Sequence, residues 1–598
     1  MVMSGPRTDA LPRQRQHRPL SGKRGARSRS LSPAGLAGVI TIVLVCVPLV
    51  VLLWSSFSVS KTGLPFGAGS HFSMSNYRRV FTDGDLVGPV LNTVAFVVGS
   101  LAVGLSISTG IAVLLERTSL PFRNLIFALV VAPVAMPQVV AGIAWGLLLD
   151  PRVGLINHML QWLPGVHGPG PLNAGSLASI TVVEGFMLVP FSLLLVAPVV
   201  RSTSGALEEA AAVTGASAWA RATKIVAPLM APGLLAVLVY QFVTAAQAFD
   251  IPAVLGLEKG TKVFSTAIYS ALSPAVGVPD YGLANGMSVL LLIFALIPMY
   301  WYYRMVGRSE RFAVITGKSY RRRPIALSGV AKWGALTGLA AYVVLVVLLP
   351  LFILLWMSVQ PYYATPSISA LGRVEFDAYH RVFTVPAFLS TVRNTLILGV
   401  LSATVVCFIG TMNSWLLLRR RGFFGKLTDV FAFLTHGIPG VVLGVSLLFV
   451  SLTTDSHFHL GLYGSMPLLV IGMVIVCLGL TTRITTAGMG QIHRNLEDAA
   501  EMCGAGLFAR LRSITVPLMS PAIANAWVLT FAYALSNLTL TVVLASSKNR
   551  VVAVELYTRW NFGDVQTAAA LGLLLTIVSV GATVVARRFT SHKEMRRT

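Results

Sequence analysis

The chain has 598 residues, of which 55% are hydrophobic and only 11% charged, and it carries a formal net charge of +24. A composition this apolar over this length excludes an ordinary soluble enzyme and points to a polytopic membrane protein. The positive balance does not imply nucleic acid, because the Lys and Arg sit in the N-terminal tail and in alternate loops rather than on one folded basic face; they read as topology determinants.

Apolar runs of about twenty residues, enough to cross the hydrocarbon core as helix, recur roughly twelve times. The runs are continuous rather than alternating, which disfavours a closed β-barrel. Residues 1–33, rich in Arg, Ser, Pro and Gly, form a basic tail predicted to be disordered and cytoplasmic. The run from Ala34 to about Phe57 is long enough to span and reads as an anchor rather than a cleaved signal peptide. A loop with Tyr77, Arg79 and Phe81 leads to a second span at about Leu91 to Leu115, then a basic turn with Arg117 and Arg123. The third span, about Leu125 to Leu149, contains Pro133 and Pro137, which predict a bend. The fourth, near Leu177 to Val200, precedes a polar loop, after which spans near Leu229 to Phe249 and Gly282 to Tyr303 complete a first set of six.

The second half replays the first. PLVVLLW at Pro48 to Trp54 returns at Pro350 to Trp356, Tyr77 returns as Tyr379, Asn92-Thr93 as Asn394-Thr395, and Pro137 as Pro439, all at an offset of 302 residues. The polar loop returns at an offset of 289, so the second copy is shorter between its third and fourth spans. An even number of spans per half gives the halves the same orientation. Parallel repeats imply a pseudo-two-fold axis along the membrane normal, with the path between the halves. The expected division is a tail at 1–33, a first transmembrane domain at 34–305, a cytoplasmic linker at 306–330, a second domain at 331–588 and a C-terminal tail at 589–598. With the basic tail inside, counting spans puts both termini and both polar loops on the cytoplasmic side.

The two loops read LEEAAAVTGASAWARATKIVAPLMAP from Leu207 and LEDAAEMCGAGLFARLRSITVPLMSP from Leu496. About half of the aligned positions are identical, including Glu208/Glu497, Ala210/Ala499, Ala211/Ala500, Gly215/Gly504, Arg221/Arg510 and Pro228/Pro517. Each copy predicts a short helix begun by carboxylates, a sharp glycine turn and a second short helix ending near proline. This spacing resembles the E-A-A-x3-G-x9-I-x-L-P signature of permease subunits of binding-protein-dependent ABC importers. The first copy has Ala227 where that family usually has Leu, and the second opens on Asp498 instead of Glu.

The resemblance implies an all-α fold of two homologous permease domains in the inner membrane of a bacterium. It also implies that the loops dock on two copies of an ABC ATPase subunit, with Glu209 and Asp498 as docking residues, Gly215 and Gly504 as the turns, and Arg221 and Arg510 as supporting contacts; contact with lipid phosphate is an equal alternative for the two arginines. ATP and Mg would then be bound by those ATPases and not by this chain, and an extracytoplasmic binding protein would deliver the solute. The connection ERFAVITGKSYRRRPIAL, from Glu310, resembles that of fused permeases of the iron(III)/thiamine branch, which makes ferric iron the leading solute, with thiamine, 2-aminoethylphosphonate and polyamines open. Gly317-Lys318-Ser319 is not a Walker A loop, since Phe312 stands where its first glycine is needed.

No catalytic constellation stands out, so the chain reads as a transporter rather than an enzyme. Cys46, Cys407, Cys477 and Cys503 lack metal-type spacing and are expected as free thiols. Glu184 and His436 lie within or beside spans, and Asp250 and Asn537 end the two fifth spans near the expected outer mouth. Each is a candidate for lining the path, with a structural role as the alternative. His457 and His459 are too few to make a metal site. An ion-coupled secondary transporter is the rival reading, and the doubled loop argues against it, since a gradient-driven carrier has no need of two docking sites.

Overall fold

In a bilayer the backbone has no water to bond with, so each long apolar run must close its own hydrogen bonds as helix. The computed structural model describes residues 33–59, 69–82, 86–161, 170–202, 205–274, 278–309, 325–327, 329–420 and 422–595. Residues 1–32 of the predicted 1–33 tail and most of the predicted linker lie outside these.

The first half comprises α1 (Pro33–Ser56), an antiparallel pair of short strands β1 (Ser58–Val59) and β2 (His71–Phe72), α2 (Ser75–Thr82), α3 (Val87–Arg117), α4 (Arg123–Val131), α5 (Gln138–Leu148), α6 (Leu155–Leu160), α7 (Leu177–Ser202), α8 (Gly205–Val213), α9 (Ala218–Arg221), α10 (Ala227–Ala246), α11 (Asp250–Leu255), α12 (Phe264–Leu272) and α13 (Tyr281–Ser309). The second half opens with α14 (Gly329–Val343), which runs through a π-helical turn into α15 (Leu349–Ser358), followed by α16 (Ile368–Leu371), α17 (Asp377–Thr384), α18 (Pro386–Arg419), α19 (Phe423–Leu434) and α20 (Gly440–Phe458). It continues with α21 (Met466–Gly490), α22 (Asn495–Met502), α23 (Leu507–Arg510), α24 (Val516–Ser536), α25 (Thr541–Leu544), α26 (Val552–Asn561) and α27 (Val565–Met595). From α2 and α17 onward the two series correspond helix for helix, except that α6 has no partner in the second half. It occupies the segment that makes the first half longer.

Among the described residues, eleven helices are long and apolar enough to cross a membrane, or twelve if α4 and α5 make one broken span. The bend expected from Pro133 and Pro137 is a sharp one: the chain turns by 100° between residues 123–135 and 138–148. Pro133 sits in a 3-10 turn and Pro137 in extended backbone just before α5, as befits residues without an N–H to give to a continuing helix.

The repeated residues have repeated jobs on the side away from the polar loops. Tyr77 Oη bonds Ser56 Oγ at 2.8 Å, and Tyr379 Oη donates to Ser358 Oγ at 2.9 Å. Thr93 Oγ1 accepts from the backbone N–H of Phe264, and Thr395 Oγ1 from that of Val552, each at 2.8 Å. Asn92 donates to the carbonyl of Lys262 and Asn394 to that of Arg550. The Asn-Thr pair at the start of α3 and of α18 thus ties the entry to α12 and α26, satisfying groups that helix ends leave open.

The halves interlock. Helix α1 packs on α18, α19 and α20 of the second half, where the Asn413 side chain donates to Thr41 Oγ1 at 2.8 Å inside the protein. In return, Leu339, Tyr342 and Val346 of the α14 segment share a core with Ile111, Val189 and Val196 of the first half. Within the first half, α3 and α7 approach closely at Gly185, where a Cβ would stand 2.7 Å from Val103 Cβ. Small residues at such crossings let membrane helices associate through packing and backbone contact.

Candidate functional site

Both polar loops fold as their residue types dictate. Helices α8 and α22 end on Gly215 and Gly504, each at φ +82°, a left-handed conformation that costs an L side chain roughly 1–2 kcal/mol. In the first copy the Gly215 N–H bonds the Ala212 carbonyl at 3.1 Å and the Ala216 N–H bonds the Ala211 carbonyl at 3.0 Å; in the second, Gly504 bonds Glu501 and Ala505 bonds Ala500, both at 3.0 Å. This paired 5→2 and 6→1 closure is a Schellman turn, which accounts for the fixed spacing between the alanines and the glycine. The chain then enters α9 or α23 and passes a π-helical turn, Ala222–Val226 or Leu511–Thr515, into α10 or α24. A π turn re-aims the helix that precedes it, and it recurs at the same position of both copies.

The adjacent carboxylates of each loop divide their tasks. Glu497 is buried and accepts from Arg419 Nε at 3.0 Å, Trp415 Nε1 at 3.3 Å and Thr515 Oγ1 at 3.2 Å. It tethers the loop to the end of α18. At the equivalent positions Glu208 pairs with Arg117, at the end of α3, at 3.6 Å. Trp415 and Thr515 are replaced there by Val113 and Val226. Asp498, by contrast, is exposed and, among the described residues, pairs only with Arg494, at 3.6 Å, one turn before it. It is free to face a partner. The side chain of Glu209 lies outside the described residues.

Arg510 binds Glu501 at 2.5 Å and so braces the second loop across its turn; the residue at the matching position of the first loop is Ala212, which cannot make that brace to Arg221. Pro228 and Pro517 stand exposed just past the π turns, in the first turn of α10 and α24. Ala210 and Ala499 lie mid-helix in α8 and α22.

Sequence reasoning passed over the apolar residues of these loops. Val213 and Met502 are 88% and 90% exposed, and Trp219 and Phe508 are 78% and 72% exposed. Each pair occupies one repeat position. The signal was present in the alignment as apolar side chains conserved in type between two otherwise polar segments. Exposed apolar groups of this size mark a surface that meets a protein partner or the membrane.

At the junction between the halves, Asp250 is buried at the head of α11, and its Oδ1 accepts from Thr539 Oγ1 at 2.8 Å. It is buried between the two halves. Glu184 is buried on α7, and neither of its oxygens has a hydrogen-bond partner among the described residues. His436 stacks on Tyr240 with ring centroids 4.5 Å apart, and its carbonyl accepts from Gln247 at 3.2 Å. The Asn537 side chain accepts from the N–H of Leu540 at 3.0 Å and caps the turn before α25. Glu184 and Asp250 lie on α7 and α11, two helices that pack against each other. His457 bonds the carbonyl of Thr453 through Nδ1 at 2.9 Å, and among the described residues no group of three or more His, Cys, Asp or Glu is placed to hold a metal ion.

Comparison with known proteins agrees with this doubled geometry. The family model described as "Binding-protein-dependent transport system inner membrane component" matches twice, over residues 102–312 and 396–593. The chain is similar to the ferric transport system permease protein FbpB of Actinobacillus pleuropneumoniae, 24% identical over 86% of this chain and 72% of that one. It is also similar to the trehalose/maltose transport system permease protein MalF of Thermococcus litoralis, 26% identical over 49% of this chain and 98% of that one. A bacterial ABC transporter involved in alginate import, solved by crystallography, aligns over 44% of this chain and 94% of its own, at 17% identity and a TM-score of 0.36. The rival reading as an ion-coupled secondary transporter falls with the family match. The chain belongs to the binding-protein-dependent transport system inner membrane components, as an ABC importer permease that carries two such domains in one polypeptide.

Proposed function

We propose that this permease imports ferric iron, receiving it from an extracytoplasmic binding protein and coupling its passage to two ATPase subunits docked on the two loops. The observation that carries the docking is the recurrence, at matching positions, of an exposed apolar pair beside a Schellman glycine: Val213 and Trp219 on one loop, Met502 and Phe508 on the other. Two like surfaces suit two like partners. The similarity to ferric permeases over most of the chain supports iron, while sugar permeases that match one half keep thiamine, 2-aminoethylphosphonate, polyamines and sugars as alternatives.

The mechanism is mechanical. ATP and Mg, held by the partner subunits, draw those subunits together on binding; each loop, fixed to α3 or α18 by its Glu–Arg tether and continuous with α10 or α24 through the π turn, passes that movement into the spans. The junction between the halves then opens toward the binding protein. Ligand biases the cycle only through different affinity for the two states. In this orientation the loops and both termini are cytoplasmic.

The test is uptake of labelled ferric iron under iron limitation, in cells with and without this gene, with thiamine and 2-aminoethylphosphonate measured beside it. Iron uptake that is lost without the gene and returns with it supports the reading. Unchanged iron uptake with loss of another solute replaces iron and keeps the coupling.

A further inference from the structure

Beyond α11 and α25 the halves stay in register. Thr93 and Thr395 fasten the backbone of Phe264 and of Val552 in the same way, an offset of 288 residues, and at that offset Lys262 matches Arg550, Tyr269 matches Tyr557 and Ser270 matches Thr558. Tyr269 of α12 and Tyr557 of α26 meet across the junction, with ring centroids 6.5 Å apart and planes at 73°. Repeat-mates that touch flank the pseudo-two-fold axis. Trp560 Nε1 holds α26 against the first half by donating to the Val254 carbonyl at 3.1 Å.

A cavity of about 330 Å³ opens beside this pair, on the side of the molecule away from the polar loops. Small-molecule sites run from roughly 300 to 1,000 Å³, so it suits a small solute. Tyr269 lines it from the first half, and Ser546, Ser547, Arg550, Tyr557 and Asn561 from the second; among the described residues that line it, none is acidic. Arg550 Nη1 donates to Glu555 at 3.0 Å, which leaves its other N–H groups available. Glu555 and Asp564 share three arginines, Arg550, Arg559 and Arg381, so the cluster behind the cavity keeps a positive excess. Tyr557 is 3% exposed, and among the described residues neither its hydroxyl nor Oδ1 of Asn561, one turn further along α26, has a hydrogen-bond partner. Buried polar groups are normally satisfied, and these two belong to side chains in a cavity wall.

We propose that this cavity binds a small oxyanion, a carboxylate, phosphate or phosphonate that also carries a hydroxyl or amino group, on the side where the permease receives its solute. The Arg550 guanidinium and the Tyr557 hydroxyl donate to the oxyanion, as charge-assisted bonds favour, and the ligand's own donor meets Asn561 Oδ1. The proposal rests on the permease reading and narrows its solute. 2-Aminoethylphosphonate fits as it stands, whereas ferric iron fits as a complex whose ligands present an oxyanion and not as a bare cation beside Arg550.

The test is saturation-transfer NMR on the purified full chain in phosphatidylcholine nanodiscs, with 2-aminoethylphosphonate and citrate as oxyanion probes, thiamine as a cation and trehalose as an uncharged polyol. The two oxyanions are expected to bind and to weaken about tenfold in Arg550→Gln, with binding kept in Arg550→Lys. Tyr557→Phe is expected to weaken them about fivefold, one hydrogen bond's worth, while keeping the wild-type melting temperature, since the hydroxyl has no bond within the protein to lose; this variant decides the matter if Arg550→Gln fails to fold. Equal signals from all four probes overturn the proposal, as do oxyanion signals unchanged in both Arg550→Gln and Tyr557→Phe. Loss of the signals in phosphatidylglycerol nanodiscs assigns the cavity to a lipid headgroup and overturns its role as a solute site. Failure of the permease reading shows separately, as a wild-type chain that binds no ATPase but still binds the oxyanions.

Discussion

At the scale of single residues, adjacent carboxylates on one helix have opposite fates because of what α18 presents to them. Glu497 meets Arg419, Trp415 and Thr515 in a buried pocket, whereas Asp498, one residue on, points outward. Removing one partner of a buried ion pair strands the other, at a cost of about 3–5 kcal/mol. Arg419→Ala is therefore expected to lower the melting temperature of the purified protein and to raise protease cleavage within residues 495–502. Arg117→Ala should cost less, because Glu208 is about a quarter exposed and its pair with Arg117 is longer, at 3.6 Å. Equal sensitivity of the two loops would contradict this asymmetry. The sequence made the shared glutamates legible as repeated residues, but not as tethers, because their partners sit about 80 to 90 positions earlier in the chain and only folding brings them near.

At the scale of the element, each loop is a short helix, a left-handed glycine and a second short helix joined to a span by a π turn. The turn itself could be read from spacing, since Gly215 and Gly504 are needed where φ is positive. The π turns could not, because Ala222–Val226 and Leu511–Thr515 share almost no residues and the extra residue per turn leaves no mark on composition. Gly215→Val/Gly504→Val would strain each turn by roughly 1–2 kcal/mol and is expected to reduce ATP-driven transport while leaving membrane insertion intact, as cell fractionation would show. Trp219→Ala together with Phe508→Ala removes one large apolar contact per loop, worth about 1.5–3 kcal/mol each if buried by a partner. Pull-down of the ATPase from detergent extract should fall by at least about tenfold per loop; unchanged recovery would show that these side chains face lipid instead.

At the scale of the whole molecule, the repeat was legible because it shows as constant offsets in Tyr77/Tyr379, Asn92/Asn394 and the loops, and the structure gives several of those pairs the same bonds. What offsets do not reveal is that α1 lies on the second half and the α14 segment on the first, since packing across halves leaves no local pattern. The interlock predicts that residues 1–317 and 318–598, expressed singly, are degraded, and that coexpression rescues both, as immunoblots of membrane fractions would report. The contact of Asp250 with Thr539 was likewise hidden, because residues 289 positions apart meet only when the two halves are brought together. Two equivalent docking loops on one chain can be counted by native mass spectrometry of the transporter with its ATPase. The wild type is expected to bind two ATPase subunits per chain, either Glu209→Lys or Asp498→Lys alone to leave one, and both together to leave none. A complex that keeps two ATPase subunits in the double variant, or a wild type that binds only one, would contradict it.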